Sequence, residues 1–161
     1  MITYLKWKKK IFSNLLSIYS NKQKVGELKN KCFSESAQGE LNGKKYIFKT
    51  KGVFKQHTEI IDGEDNEVIG TITYNSWKSK ATVSIGEKTL NWEYSNFWHT
   101  KWSVYNSNCL SIRYSASCSH GQIDSGTDDP LIILSGLYVS NYYSQTIMQV
   151  FLLVLIPLWI S

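Results

Sequence analysis

Proline is scarce in this sequence, with only Pro130 and Pro157 among 161 residues. Together with 10 glycines and 42% hydrophobic residues, that scarcity excludes a collagenous or disordered chain and leaves a folded globular one. Cysteine is also sparse. Cys32, Cys109 and Cys118 are an odd number at unpatterned spacing, which gives neither a disulfide framework nor a zinc signature and points to a reducing compartment. There is no glycine-rich phosphate loop and no Gly-x-Ser-x-Gly elbow. Nothing in the sequence therefore marks an enzyme, and the expectation is a non-enzymatic chain without cofactor or metal. Positive charge is missing from the last third, because no Lys or Arg follows Arg113.

The charge that is present is unevenly placed. Residues 1–55 hold 13 of the 18 basic residues against 3 acidic ones, a local balance of +10, so the remainder carries −5. Such a division suggests a surface that meets something anionic, a membrane face or a nucleic acid. Lys6, Lys8, Lys9 and Lys10 precede an apolar stretch in the manner of a signal peptide. Ser13, Asn14 and Ser17 interrupt that stretch, however, and no small-residue cleavage site follows.

Aromatic residues make up 14% of the chain and lean towards strands. Asn42-Gly43 separates two strand-like runs and suits a two-residue hairpin turn, since both residues tolerate positive φ. Residues 21–24 read as the turn of an earlier hairpin, and residues 62–67 as an acidic turn between two more strands. Further on, Ala81, Val83 and Ile85, then Leu90, Trp92 and Tyr94, then Leu110, Ile112 and Tyr114 alternate with polar residues. Strands with one apolar face, separated by turn residues every eight to twelve positions, predict a closed antiparallel barrel or sandwich within a single domain, residues 1–161. Residues 96–102 read as a connection packed by its own aromatics that seals one end, residues 121–130 as a loop, and residues 131–139 as a strand buried on both faces.

Residues 147–160, apolar except for Gln149, must be enclosed by protein or by lipid. Fourteen residues fall short of the roughly twenty that cross a bilayer, and no Lys or Arg flanks them. The expectation is a helix over 143–160, capped by Ser140, Asn141 or Ser144, that threads the barrel and takes the apolar strand faces as its socket. A C-terminal membrane anchor is the alternative.

This strand series over 15–139, the segments Val25-Gly26-Glu27-Leu28 and Val68-Ile69-Gly70-Thr71-Ile72, and the apolar tail together resemble the tubby C-terminal-like superfamily. That superfamily comprises the tubby domain, the phospholipid scramblases and the LURP-one-related proteins. The resemblance implies a closed barrel of about twelve strands around a hydrophobic C-terminal helix. It also implies a binding module that docks on anionic phospholipid. No lipid-contacting residue of the family transfers position by position.

The lysines are read from the pattern alone. On the second strand of the Asn42-Gly43 hairpin, Lys45, Lys49 and Lys51 share an outward face with Ile47, and Lys44 and Lys55 lie nearby. These five form the candidate lipid-phosphate strip, each charge contributing about 1 kcal/mol near an anionic surface; an edge strand protected by lysine is the structural alternative. Other groupings carry less. The 62–67 turn has Glu67 where an EF-hand needs glycine. Cys118, His120 and Asp124 lack the spacing of a metal or Cys-His site. Asp128-Asp129 before Pro130 suits turn initiation. A nucleic-acid partner is not expected, because no recognition motif accompanies the basic N-terminus. The expected location is cytoplasmic, at the periphery of a membrane.

Overall fold

The computed structural model describes residues 2–10, 13–31, 36–53 and 55–160. Cys32 and Phe33 lie outside them. Twelve strands are followed by one helix: β1 (Thr3–Lys9), β2 (Leu15–Ser20), β3 (Gln23–Asn30), β4 (Ser36–Leu41), β5 (Lys44–Lys51), β6 (His57–Asp62), β7 (Val68–Asn75), β8 (Lys80–Ile85), β9 (Lys88–Tyr94), β10 (Lys101–Tyr105), β11 (Ser111–Ser117), β12 (His120–Ser125) and α1 (Pro130–Ile160). Every strand pairs antiparallel with its sequence neighbours, and β1 closes the barrel against β12.

Alternation explains the interior. Ile18, Leu28, Phe48, Ile60, Val83, Trp92, Val104, Ile112 and Ile123 point inward and are fully or almost fully buried. The closing strand follows the same rule, with Leu5 and Trp7 inside and Tyr4, Lys6 and Lys8 outside. The lysine-rich N-terminus is therefore a barrel stave. Asn42 and Gly43 turn the β4–β5 hairpin at φ values of 52° and 79°, as the Asn-Gly pair predicts.

Two bulges, at Ile18/Tyr19 and Ile60/Ile61, face Gly26 and Gly70 across the ladder. A Cβ on Gly70 would stand 2.7 Å from the Ser84 carbonyl oxygen of the next strand. The two glycine-bearing segments thus mark the same device used twice, a bend where backbones approach too closely for a side chain.

The helix departs from the sequence expectation in a specific way. Residues 131–139 are not a strand but the first turns of α1, and all nine are buried. The run is apolar on every side because strands surround it. Asp129 caps the helix: its Oδ1 accepts from the Leu131 amide at 3.0 Å, and Pro130 takes the first helical position, where a missing N–H costs nothing. Ser140, Asn141 and Ser144, expected as caps, lie within a helix already under way. Residues 121–125, expected in a loop, belong to β12.

Three aromatic donors fix the buried half. Trp92 Nε1 and Trp102 Nε1 both donate to the Gly136 carbonyl, at 3.0 and 3.1 Å, and the Tyr114 hydroxyl donates to the Ile133 carbonyl at 3.0 Å. Tyr143 is the last buried residue of α1. Beyond it the helix leaves the barrel, so residues 147–160 are not the core of the molecule. Every one of them is exposed except the half-buried Leu155.

Candidate functional site

The end through which α1 leaves is fixed by its contacts. Lys9 Nζ donates to Asn141 Oδ1 at 3.4 Å, the Tyr142 hydroxyl donates to Gln56, and the Tyr143 hydroxyl donates to the Lys80 carbonyl. The exit rim therefore consists of the end of β1 and the connections β1–β2, β3–β4, β5–β6, β7–β8, β9–β10 and β11–β12. The mouth is closed by aromatic and hydroxyl groups. Tyr138, Thr50, Thr58 and Tyr74 form a hydrogen-bonded chain at 2.6–2.7 Å. Tyr74 stacks on Tyr142 with centroids 3.8 Å apart, and Tyr94 stacks on His99 at 4.0 Å. Burial pushes the Tyr94 hydroxyl up to about 12, so it stays protonated at physiological pH. Lys9 points into this mouth half-buried, and the lost hydration lowers its pKa.

Asn141, Gln145 and Gln149 recur at i, i+4 and i+8 along the emerging helix and face Asn30 and Gln56 of the rim across a cavity of about 70 Å³. A water needs about 10–15 Å³ of such space, so this collar suits a few solvent molecules.

The rim itself is unusual in what it exposes. In the β7–β8 connection Trp77 is 98% exposed, and in the β9–β10 connection Phe97 and Trp98 are 86% and 79% exposed. Residues 96–102 thus do not seal the barrel as their aromatic content suggested. Phe97 and Trp98 face outward against each other, while His99 stacks on Tyr94 and Trp102 turns inward. Val53 is likewise exposed in the β5–β6 connection.

Charge separates along the same axis. The described residues of the six exit connections carry Lys10, Lys31, Lys55 and Lys78 and no carboxylate; Glu35 lies outside the described residues. The six connections at the other end carry Glu64, Asp65, Glu67, Glu87, Asp128 and Asp129 against Lys22 alone. None of the four rim lysines is in an ion pair with a described residue. Among the described residues the connections thus differ in charge between the barrel's two ends, whereas nine of the thirteen basic residues of the N-terminal third stand on strands β1, β3 and β5.

Of the five lysines expected to form one strip, Lys45, Lys49 and Lys51 share the outer side of β5, Lys44 alternates to the other side at the start of the strand, and Lys55 lies beyond β5 in the β5–β6 connection. Lys44 and Lys45 begin the strand at the acidic end, whereas Lys51 finishes it and Lys55 lies on the exit rim. Lys51 lies seven strand steps after Lys44, about 23 Å away. Lys51 is also engaged by Glu59 at 2.9 Å. That carboxyl's pKa is lowered, first by its hydrogen bond from Lys51.

The other groupings resolve into structure. Asp62 closes the acidic turn by accepting from the Glu64 and Asp65 amides at 2.8 and 3.3 Å. His120 and Asp124 lie four residues apart on β12, about 13 Å, and Cys118 sits in the preceding turn. Among the described residues no group of three His, Cys, Asp or Glu side chains is placed to hold a metal ion. Comparison with protein-family models, curated proteins and solved structures gives no match in any of the three.

Proposed function

We propose that this chain is a non-enzymatic barrel module held at a membrane surface by the second half of α1. The observation that carries the reading is the emergence of residues 147–160 from the barrel as an exposed helix, apolar on all sides. A partner packed against one side would need only an apolar stripe, whereas a helix apolar all round suits an enclosing apolar surrounding, which lipid supplies. By length and composition α1 is apolar enough to cross a membrane, but residues 131–139 lie inside the barrel, so the emerging half is the part open to lipid.

Magnitudes favour lipid. The ten Leu, Ile, Val and Phe residues of the segment contribute roughly −0.3 to −0.6 kcal/mol each, about −3 to −6 kcal/mol together. At 1.5 Å per residue the segment reaches about 21 Å. That length carries the segment beyond the midplane of a hydrocarbon core about 30 Å thick. A barrel around a C-terminal helix is also the architecture that the likeness to tubby, scramblase and LURP-one-related proteins implies. Anionic phospholipid is the partner the lysine distribution favours.

The test is co-flotation with phosphatidylcholine vesicles. Wild-type chain should float. Leu153→Lys with Val154→Lys adds roughly 5–7 kcal/mol of insertion cost, which offsets the whole apolar gain, so that variant should remain with the soluble fraction while keeping its near-ultraviolet circular dichroism. Flotation of the variant equal to wild type would remove the basis for the proposal.

A further inference from the structure

Building on that anchor, we infer that the exit rim is an end-on docking surface for an anionic bilayer, with Trp77, Phe97 and Trp98 in the headgroup boundary and Lys10, Lys31, Lys55 and Lys78 on the lipid phosphates around them. The anchor alone does not require this. A helix leaving the barrel through Ser144 and Gln145 could hold the domain away from the surface or let it lie on its side.

Three independent properties of the rim select the end-on arrangement. Among the described residues the strongly exposed tryptophan and phenylalanine side chains of the barrel all lie at this end, and none lies at the other. Tryptophan prefers the level where an apolar ring meets hydrated headgroups. The lysines of the rim face no described carboxylate there, whereas the opposite connections carry six carboxylates, so an anionic surface favours the exit end over the other. Finally, α1 emerges within this ring, surrounded by it, so insertion of residues 147–160 along the membrane normal brings the rim to headgroup depth.

This places the lipid contact away from most of β5. Lys55 belongs to it, Lys51 borders it, and Lys44 and Lys45 stand at the far end.

Two native cysteines allow the orientation to be read in the full chain. Cys118 is exposed in the β11–β12 turn on the exit rim, and Cys109 is exposed in the β10–β11 connection at the opposite end. In one chain Cys32→Ser is combined with Cys109→Ser, in the other with Cys118→Ser. The remaining thiol carries a fluorophore, and vesicles contain phosphatidylserine and a lipid with a headgroup quencher. The expected result is strong quenching at Cys118 and little at Cys109, with the contrast falling at least about tenfold when Trp77, Phe97 and Trp98 become Ser and the four rim lysines become Glu. That variant should still float, through residues 147–160.

Equal quenching at both cysteines, or none at either, in protein that floats would overturn end-on docking while leaving the anchor intact. Failure of wild-type chain to float would overturn both. An unchanged contrast in the rim variant would also refute the proposal. Lys44→Glu with Lys45→Glu should leave the contrast within twofold, about 0.4 kcal/mol, and a loss matching that of the rim variant would assign the contact to β5 instead.

Discussion

A chain ending after Thr146 should fold into the same barrel as the full-length chain, whereas one ending after Asp129 should not fold. The first truncation removes a segment whose described side chains are all exposed apart from the half-buried Leu155, so its midpoint in urea should move by no more than about 0.5 kcal/mol of equivalent stability. It should also be more soluble than the full-length chain, having lost an apolar surface larger than monomers ordinarily expose. The second truncation removes Leu131, Ile132, Ile133, Leu134, Leu137, Tyr138, Val139 and Tyr143 from the interior. At roughly 1.5–3 kcal/mol for each, the lost burial is roughly 12–24 kcal/mol, which meets or exceeds the roughly 5–15 kcal/mol that holds a typical domain together. Circular dichroism and urea titration of the two truncations decide the matter. An unfolded 1–146 chain would mean that the exposed half of α1 supports the barrel after all.

The second large effect is expected at Gly136. Its carbonyl receives both Trp92 and Trp102, and its α-carbon lies against the Tyr114 ring, where an added Cβ would overlap the phenol and stand 2.8 Å from Cε2. Tyr114 cannot simply swing away. It is fully enclosed, bonded to the Ile133 carbonyl and stacked on Trp102 at 5.4 Å. Gly136→Val must therefore displace the helix or break several of these bonds together, at a cost of at least about 3 kcal/mol. Trp92→Phe keeps most of the ring volume and leaves Trp102 donating to the same oxygen, so it should cost only about 1–2 kcal/mol. Denaturant midpoints for the two variants should preserve this order, and a reversed order would show that Gly136 is not the fixed point of the helix.

The antiparallel barrel was legible because most strands are apolar on one side only, and alternation over five or six residues fits a half-buried strand and little else. Asn42-Gly43 specified its turn by backbone chemistry. β1 alternates equally well, through Leu5 and Trp7, but its closely spaced lysines mask that period with a signal of charge.

Residues 131–139 illustrate a more basic limit. A run apolar at every position has no period, and both a central strand and an enclosed helix satisfy it. Asp129 followed by Pro130 is a helix start, and it sets the beginning of α1 thirteen residues upstream of residue 143. With that boundary, the 147–160 segment stands out as excess to the barrel. The five lysines of β5 and its following connection show the complementary gap. Alternation gives the side of a strand a residue occupies, but its height along the barrel matters when the partner is a plane, and height depends on which connections share an end. Trp77, Phe97 and Trp98 come from two separate connections and share one rim because alternate connections of an antiparallel meander lie at the same end.

The division of α1 into an enclosed half and a lipid-seeking half is tested most directly by thiol accessibility at two matched positions. In chains whose native cysteines are replaced by serine, Val139→Cys places a thiol where the native side chain is fully buried, and Val154→Cys places one where it is 60% exposed. With a water-soluble maleimide, the thiol at 139 should remain unreactive with and without vesicles. The thiol at 154 should react readily in buffer and become protected when vesicles are added. Protection at 154 without lipid, or continued reaction in vesicle-bound protein, would contradict the division.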